Sequence, residues 1–433
     1  MPNDLRKITL ELLRSYELED RFVNLLLSSP KLKSLSPEEL ASVTALLYTV
    51  VERKITYDYL ICAFSKRSIS DIDDYVRDVL RIGLCQILDM SSIPDFAAVN
   101  ETVKLARHKG ESGFINAVLR RAVKDKDNLP FPEKKRNFAR YISILYSIPL
   151  KTVKMLIEIF GEEECEKFII ASSSHSPLSL TINENKISRD DLMAKLADYS
   201  PRPSNYTENG IILAKGASPK ALAGFSEGEF FVQDESSRIA ALALEAAVNS
   251  MVIDVCAAPG GKTLSAAIRA REGMVYSFDI HESKLSLIAE SAARLGLSNI
   301  TAAVNDATEP RAELFGKADR VICDVPCSGL GVFSKKPDLR YKDIDSISAL
   351  PPLQYEILEK SSSYLKDGGI LVYSTCTVNP KENEEITDRF ILEHPEFSYE
   401  VISVGIENSG RITLLPHKHN TDGFYIAKLR KNK

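Results

Sequence analysis

The sequence predicts a multidomain protein: an all-α N-terminal domain, a small α+β module, and a doubly wound α/β domain. Three observations predict it. The chain has 433 residues, two to three times an ordinary single domain. From Met1 to about Asp125 it holds almost no glycine and repeats apolar residues at helical spacing. From Ser236 onward, strand-length apolar runs alternate with helical patterns, the rhythm of a parallel sheet.

Composition narrows the class. With 44% hydrophobic and 27% charged residues the chain reads as an ordinary globular protein, which excludes disorder as its dominant state. No run approaches 18 apolar residues, so no membrane span is expected. Met1–Arg14 mixes charges with leucine and lacks the apolar stretch of a secretion signal. Seven cysteines, an odd number thinly spread, make no disulfide framework and suit a reducing cytoplasm. The net charge of -5 means that any nucleic-acid binding must come from local basic patches.

In the first region, Leu5, Ile8, Leu12, Leu13 and Tyr16 share a helical face. Phe22–Leu27, Leu40–Val51 and Val76–Leu88 read the same way. Val99–Lys109 predicts a helix closed by Gly110 as a C-cap, and a second runs from about Gly113 to Lys124. Asp125–Pro132 breaks the pattern with two prolines and reads as a linker. The middle region predicts a helix at Leu150–Phe160 and strands at Leu178–Asn183 and Gly210–Ala214, with a turn at Ser200–Asn205. Beyond it, Met251–Cys256, Met274–Phe278, Ile300–Val304, Arg320–Cys323 and Ile370–Tyr373 predict buried strands. His281–Leu295 and Pro352–Leu365 predict helices between them.

The sharpest element is Asp254-Val-Cys256-Ala257-Ala258-Pro259-Gly260-Gly261-Lys262-Thr263. It follows one strand and opens a helix, where a doubly wound fold binds its ligand. Gly260 and Gly261 permit a tight turn and close backbone approach. Asp279, at the end of the next strand, suits ribose hydroxyls. Asn305-Asp306 ends the third strand, where an adenine amino group could be read, and Asp324 ends the fourth. A P-loop would need glycine where Cys256 stands, and the G-x-G-x-x-G fingerprint is absent. A glycine turn with merely solvated acidic strand ends is the bland alternative. An adenosyl ligand without phosphates fits best, and S-adenosylmethionine is the obvious one.

Cys327 follows the fourth strand in Asp324-Val-Pro-Cys-Ser-Gly, and Cys376 follows a later one in Tyr373-Ser-Thr-Cys-Thr. A single cysteine is most often a small buried hydrophobe. A zinc site at Cys323 and Cys327 lacks a second pair of ligands, and His417-Lys418-His419 reads as polar loop, so no metal is expected. Two cysteines at one crevice suit methylation of a pyrimidine at C5. A thiolate adding at C6 makes C5 an enamine carbon able to attack a sulfonium methyl. Lys262 would supply positive charge to lower the thiol pKa, and Asp324 an acid at the N3 edge of the base.

At these residues the chain resembles the RNA cytosine-5 methyltransferases of the Sun/Fmu type. The likeness rests on Asp254–Thr263, Asp324–Gly331, Tyr373–Thr377 and Thr421-Asp-Gly-Phe-Tyr425. It implies that Cys376 is the nucleophile and that Cys327 assists release. Glu101–Arg107 and Phe114–Arg121 resemble a NusB-type RNA-binding domain, a fusion that points to enzymes acting on bacterial 16S ribosomal RNA. The resemblance implies three domains: NusB-like over 1–128, an α+β RNA-binding module over 129–235, and a Rossmann-like class I methyltransferase over 236–433. It further implies a seven-stranded sheet with one antiparallel strand, a cytoplasmic monomer and an unpaired or flipped cytosine as target. Thr181 departs from the arginine common in relatives, which puts one RNA contact in doubt. Methylation of another RNA, such as transfer RNA, and a non-catalytic assembly role are the alternatives.

Two basic clusters are candidate RNA contacts. Residues 101–130 carry Lys104, Arg107, Lys109, Arg120, Arg121, Lys124 and Lys126 against four acids. Ser334–Lys342 carries Lys335, Lys336, Arg340 and Lys342 against Asp338, with Tyr341 available to stack on a base.

Overall fold

Ser36 accepts a hydrogen bond from the Glu39 N–H, and the Glu39 carboxylate accepts one from the Ser36 N–H. This capping box starts a long N-terminal helix. The computed structural model describes residues 3–19, 23–27, 29–174, 177–335, 337–342 and 344–432. Phe22 and Lys336 of the sequence expectations lie outside them.

The chain forms two compact units, Met1–Ile169 with Lys336–Lys342, and Ile170–Lys335 with Asp343–Lys433. The first is helical, as expected. Its helices are α1 (Asn3–Glu19), α2 (Val23–Leu26), α3 (Pro37–Glu52), α4 (Lys54–Ser65), α5 (Asp74–Leu88), α6 (Asp95–Val103) and α7 (Lys109–Asp125). They continue with α8 (Phe138–Leu145), α9 (Leu150–Phe160) and α10 (Glu162–Ser172), which runs past the unit's boundary. Leu13, Leu46, Leu47, Val50, Leu60, Val79, Leu80 and Leu119 are fully buried among α1–α7. That contiguous apolar core drives the packing.

Two local expectations are corrected here. Gly110 does not close a helix: α6 stops at Val103, and Gly110 sits in the first turn of α7. The reason is a start signal. His108 Nδ1 accepts the Glu111 N–H, while the Glu111 carboxylate accepts from the Arg107 N–H and guanidinium, so a new helix begins at Lys109. The proline-broken stretch beyond α7 is non-helical as expected, yet packed: the Tyr59 hydroxyl donates to the Pro130 carbonyl and its ring stacks on Phe131.

The second unit opens with β1 (Leu178–Ile182), α11 (Arg189–Lys195), β2 (Pro201–Pro203), β3 (Gly210–Leu213) and β4 (Phe230–Val232). The four strands form an antiparallel sheet of order β2-β3-β1-β4. Leu180, Ile182, Ile211, Leu213 and Phe230 fill its core. The expected turn at Ser200–Asn205 contains β2 instead, an edge strand where proline's missing N–H does no harm.

Then come α12 (Glu235–Ala243), β5 (Met251–Asp254), α13 (Gly261–Arg269), β6 (Met274–Asp279), α14 (Glu282–Leu295), β7 (Ile300–Val304) and β8 (Ala318–Asp324). The chain ends with α15 (Leu350–Ser362), β9 (Leu365–Thr375), α16 (Glu384–Glu393), β10 (Phe397–Tyr399), β11 (Arg411–Leu414), α17 (Pro416–His419) and β12 (Phe424–Lys431). The sheet order is β10-β12-β9-β8-β5-β6-β7, with β11 also on β12. β5 to β9 are parallel, and β12 runs opposite to its neighbours. One antiparallel strand matches the expectation, but the described strands number eight in this sheet rather than seven. β12 is long enough for two short strands to share one edge: β11 pairs with Phe424–Ala427 and β10 with Leu429–Lys431.

Alternate residues feed two cores. Ile253, Val321 and Leu371 pack with Leu358 of α15 and Phe390 of α16. Val252, Ile322 and Val372 pack with Ile239 of α12 and Ala267 of α13. Both faces are covered, as a parallel sheet requires. β7 is the exception. Expected as a buried strand, it is the sheet's edge, and Thr301, Ala302 and Val304 are exposed. No helix among the described residues is long and apolar enough to cross a membrane.

Candidate active site

The glycine turn joins β5 to α13. The Gly260 N–H donates to the Ala257 carbonyl at 2.7 Å, and Gly260 adopts φ +110°, a conformation that favours glycine. A Cβ there would also press on Ile288 at 3.0 Å. The Ala257 N–H donates to the Phe278 carbonyl, and the Ala258 N–H to Asp279 Oδ2 at 3.1 Å. The turn is thereby fixed against the end of β6.

Beside it a cavity of about 460 Å³ opens at the carboxyl ends of the strands. Of the ten residues expected to hold a cofactor, Cys256, Ala258, Asp279, Asp306 and Asp324 line it. Ala257, Pro259, Gly260, Gly261 and Lys262 are not among the lining residues; they shape the turn behind it. Asp279 accepts from the Ala258 and His281 N–H groups, one per oxygen, which leaves each oxygen a further lone pair. Asp306 Oδ1 accepts from the Thr308 N–H and hydroxyl. Asp279, Asp306, Asp324 and Glu356 face the cavity against Lys284. That donor set suits a ligand with hydroxyl and amino groups and a positive centre, and it repels phosphates. The residues present fit an adenosyl sulfonium.

Asp254 lies beneath the turn, 1% exposed. Its Oδ2 accepts the Thr263 hydroxyl, while Oδ1 has no partner. Burial pushes its carboxyl up to about 7. Lys262 Nζ donates to Asp324 Oδ2 at 2.7 Å, and Asp324 Oδ1 accepts the Ser374 hydroxyl at 2.7 Å. The ammonium expected to activate a thiol therefore has Asp324 as its immediate partner, and it also lies over the Phe424 ring.

The two cysteines meet. Cys327 Sγ and Cys376 Sγ are 3.2 Å apart. Adjacent parallel strands bring them together, since Asp324 of β8 pairs in register with Ser374 of β9. Hydrogen bonding to Cys376, then burial, pushes the Cys327 thiol well up. Burial, reinforced by the Asp254 and Asp324 carboxylates and opposed by Ser361, takes the neighbouring Cys323 up to about 12, the behaviour of a structural thiol. The Gly331 N–H donates to the Cys376 carbonyl and the Gly423 N–H to the Gly331 carbonyl, so three separate sequence motifs join here. Only glycine fits at that approach: a Cβ on residue 331 would stand 1.8 Å from the Gly423 oxygen.

Comparison with known proteins identifies the family of each region. The family described as 16S rRNA methyltransferase RsmB/F matches residues 241–430, the NusB family residues 3–124, and an RsmF/B-like ferredoxin-like domain residues 149–219. The chain is 35% identical to the probable ribosomal RNA small subunit methyltransferase B of Bacillus subtilis, over 99% of this chain and 98% of that one. The chain belongs to the RsmB family of ribosomal RNA methyltransferases. Its counterpart in Synechocystis is 34% identical over 98% and 99% of the two chains. Among solved structures, PH0851 shares the fold along the whole chain, with TM-score 0.81 at 24% identity over 100% and 99% of the two chains. NSun6 from Pyrococcus horikoshii, solved with SFG, matches with TM-score 0.60 at 25% identity, over 66% of this chain and 98% of its own.

Within this RsmB-family chain the second basic cluster is corrected. Arg340 is 2% exposed and donates to the Glu52 carbonyl and carboxylate and to the Tyr146 carbonyl. The Tyr341 hydroxyl bonds Ser147 and Glu52, and Lys54 lies over its ring. Lys335 is ion-paired with Asp234 and Asp422. These groups hold the fold, and Tyr341 is not available to stack on a base. Arg120 and Arg121 of the first cluster are exposed on α7. Thr181 is fully buried and accepts from Arg238, itself buried, so this position has a structural role.

Sequence reasoning missed the supports. His281, Lys284, Leu353 and Glu356 also line the cavity. Gln354, Glu382 and Asn383 bind the cysteine loops from behind. Glu382 and Asn383 carry one sequence signal, polarity at the start of a helix just past Cys376, whereas Gln354 lies in α15, well before it.

Proposed function

We propose that the protein transfers a methyl group from S-adenosylmethionine to C5 of a specific cytosine in 16S ribosomal RNA. The observation that carries this reading is the pair of sulfur atoms 3.2 Å apart, with Asp324 and Pro326, just before Cys327, lining the cavity. S-adenosylmethionine supplies the sulfonium methyl. Cys256, Ala258, Asp279 and Asp306 hold its adenosyl part, which the acidic lining supports.

The Cys376 thiolate adds to C6 of a cytosine swung out of its stack, and Asp324 with Lys262 stabilises the charge that develops at N3. C5, now nucleophilic, takes the methyl. Cys327 then helps to remove the C5 proton, the C5–C6 double bond re-forms, and the Cys376 thiolate leaves. Two thiols side by side support this division, since attack and release act on adjacent carbons.

Mapping 5-methylcytosine in cells lacking the protein tests the reading. Loss of one such base from 16S ribosomal RNA, restored by the wild-type chain, is the expected result. Intact 16S methylation with loss from transfer RNA would assign the substrate to the other class.

A further inference from the structure

Both cysteine loops rest on one buried carboxylate that the mechanism above does not use. Glu382 is fully buried in the turn between β9 and α16. It accepts from the Ser328 N–H at 2.9 Å and the Ser328 hydroxyl at 2.6 Å, directly after Cys327. It also accepts from the Asn379 amide at 3.0 Å, three residues after Cys376, and from the Gln354 amide at 3.0 Å. Gln354 in turn donates to the Pro326 carbonyl, directly before Cys327. Four donors converge on two oxygens, the pattern of an ionised, acceptor-only carboxylate.

The sulfur pair makes such a charge consequential. At 3.2 Å either sulfur can donate to the other, so once the pair loses one proton the remaining one has two places to sit. A negative charge close to one sulfur disfavours the thiolate there and leaves it on the other. Glu382 binds the residue next to Cys327 directly, by two hydrogen bonds, whereas it reaches Thr377, the residue next to Cys376, only by way of the Ser328 hydroxyl, and touches that loop directly at Asn379, three residues on.

We propose that Glu382 is a positioning residue that places the shared proton on Cys327 and leaves the negative charge on Cys376. This rests on the reading of Cys376 as the nucleophile, and it explains why two adjacent thiols take different steps. The other groups facing the pair do not reverse the bias. Tyr373 donates its hydroxyl to the Glu382 carbonyl, and burial keeps it protonated. Lys262 and Asp324 compensate one another, and the Gly329 amide, which favours a thiolate at Cys327, is neutral where Glu382 brings a carboxylate. Once Cys376 bonds to C6, it no longer accepts the hydrogen bond that holds the proton on Cys327. That thiol can then lose its proton to solvent and receive the one from C5.

Alkylation of the full chain by iodoacetamide, under a phosphine reductant and across pH, tests this without RNA or cofactor. Peptide mass spectrometry reads the pH midpoint of labelling at each cysteine, so that differences in access cancel. Cys376 is expected to label at lower pH than Cys327. In Glu382→Gln the Cys327 midpoint should fall by about one pH unit, a tenfold change in thiolate, with the Cys376 midpoint rising. Glu382→Asp, which keeps the charge, should hold the wild-type order. Cys327 labelling first in the wild type, or midpoints unmoved in a folded Glu382→Gln, would overturn the proposal. If circular dichroism shows Glu382→Gln unfolded, the wild-type order together with Glu382→Asp decides. A failure of the methylation reading would show in RNA mapping and leave these midpoints untouched.

Discussion

Cys327 and Cys376 are 49 positions apart in the chain, yet their sulfur atoms stand 3.2 Å from one another at the ends of adjacent parallel strands. Such closeness couples the protonation of the two thiols in the ground state, and their fates part during a reaction.

Replacing each thiol separates those fates. Cys376→Ala should form no covalent adduct with RNA and lose methylation almost completely. Cys327→Ala should attack, methylate and fail to let go, leaving a slow protein–RNA band on a denaturing gel. The double variant should show no band. Trapping by Cys376→Ala alone would require the roles to be exchanged.

Asp279 holds the glycine turn through the Ala258 N–H and faces the cavity with lone pairs to spare. Asp279→Ala should weaken S-adenosylmethionine binding by about 1–3 kcal/mol. Calorimetry on the full chain reads it. Unchanged affinity would move the ligand elsewhere.

Burial raises the Asp254 carboxyl from 3.8 to about 7. The folded chain thus keeps a proton there that the unfolded chain releases. The stability this gives is complete below about pH 4 and lost as pH rises through about 7. Asp254→Asn abolishes the titration, so the variant should gain on the wild type between pH 5 and 8, by about 2–3 kcal/mol. Thermal melts at the two pH values check it. A difference that does not change with pH would place the titrating group elsewhere.

Gly331→Ala would put a methyl group 1.8 Å from the Gly423 oxygen. Either strand end must shift, costing roughly 1–3 kcal/mol. A melting point several degrees lower is expected, with impaired adduct formation, because the Gly331 N–H holds the Cys376 carbonyl. A normal melt would show that the loops yield freely.

Arg120 and Arg121 project from α7 into solvent. Reversing both charges should weaken RNA binding and flatten its salt dependence, by roughly 0.7–0.9 in the log–log slope for each phosphate no longer neutralised. An unchanged slope would mean that this face touches no phosphate.

The glycine turn, the acidic strand ends and the two cysteines were legible because strand-to-helix alternation fixes which ends share an edge. Asp279, Asp306 and Asp324 needed only that rule to be set around one cavity. Glu382 and Gln354 were not legible, because their partners Ser328, Pro326 and one another lie far off in sequence and only tertiary packing brings them near. The basic run around Arg340 misled for a related reason. Charge along a sequence does not reveal a half-buried carboxylate such as Glu52 waiting for it. Gly110 misled locally, where a cap four residues long, from His108 to Glu111, outweighed the propensity of a single glycine.

The Pro337–Tyr341 turn follows the Cys327 loop in sequence but completes the packing of the N-terminal unit, where Arg340 meets Glu52 and Tyr146. A growing chain meets this requirement late. At roughly 5–20 residues per second, on the order of ten seconds or more separate the emergence of Ile169 from that of Arg340. Through that interval the helices must hold together with the Glu52 carboxylate and the Tyr146 carbonyl unsatisfied by the chain. The first half of the molecule to be made is therefore among the last to be finished, and no single cut yields it whole.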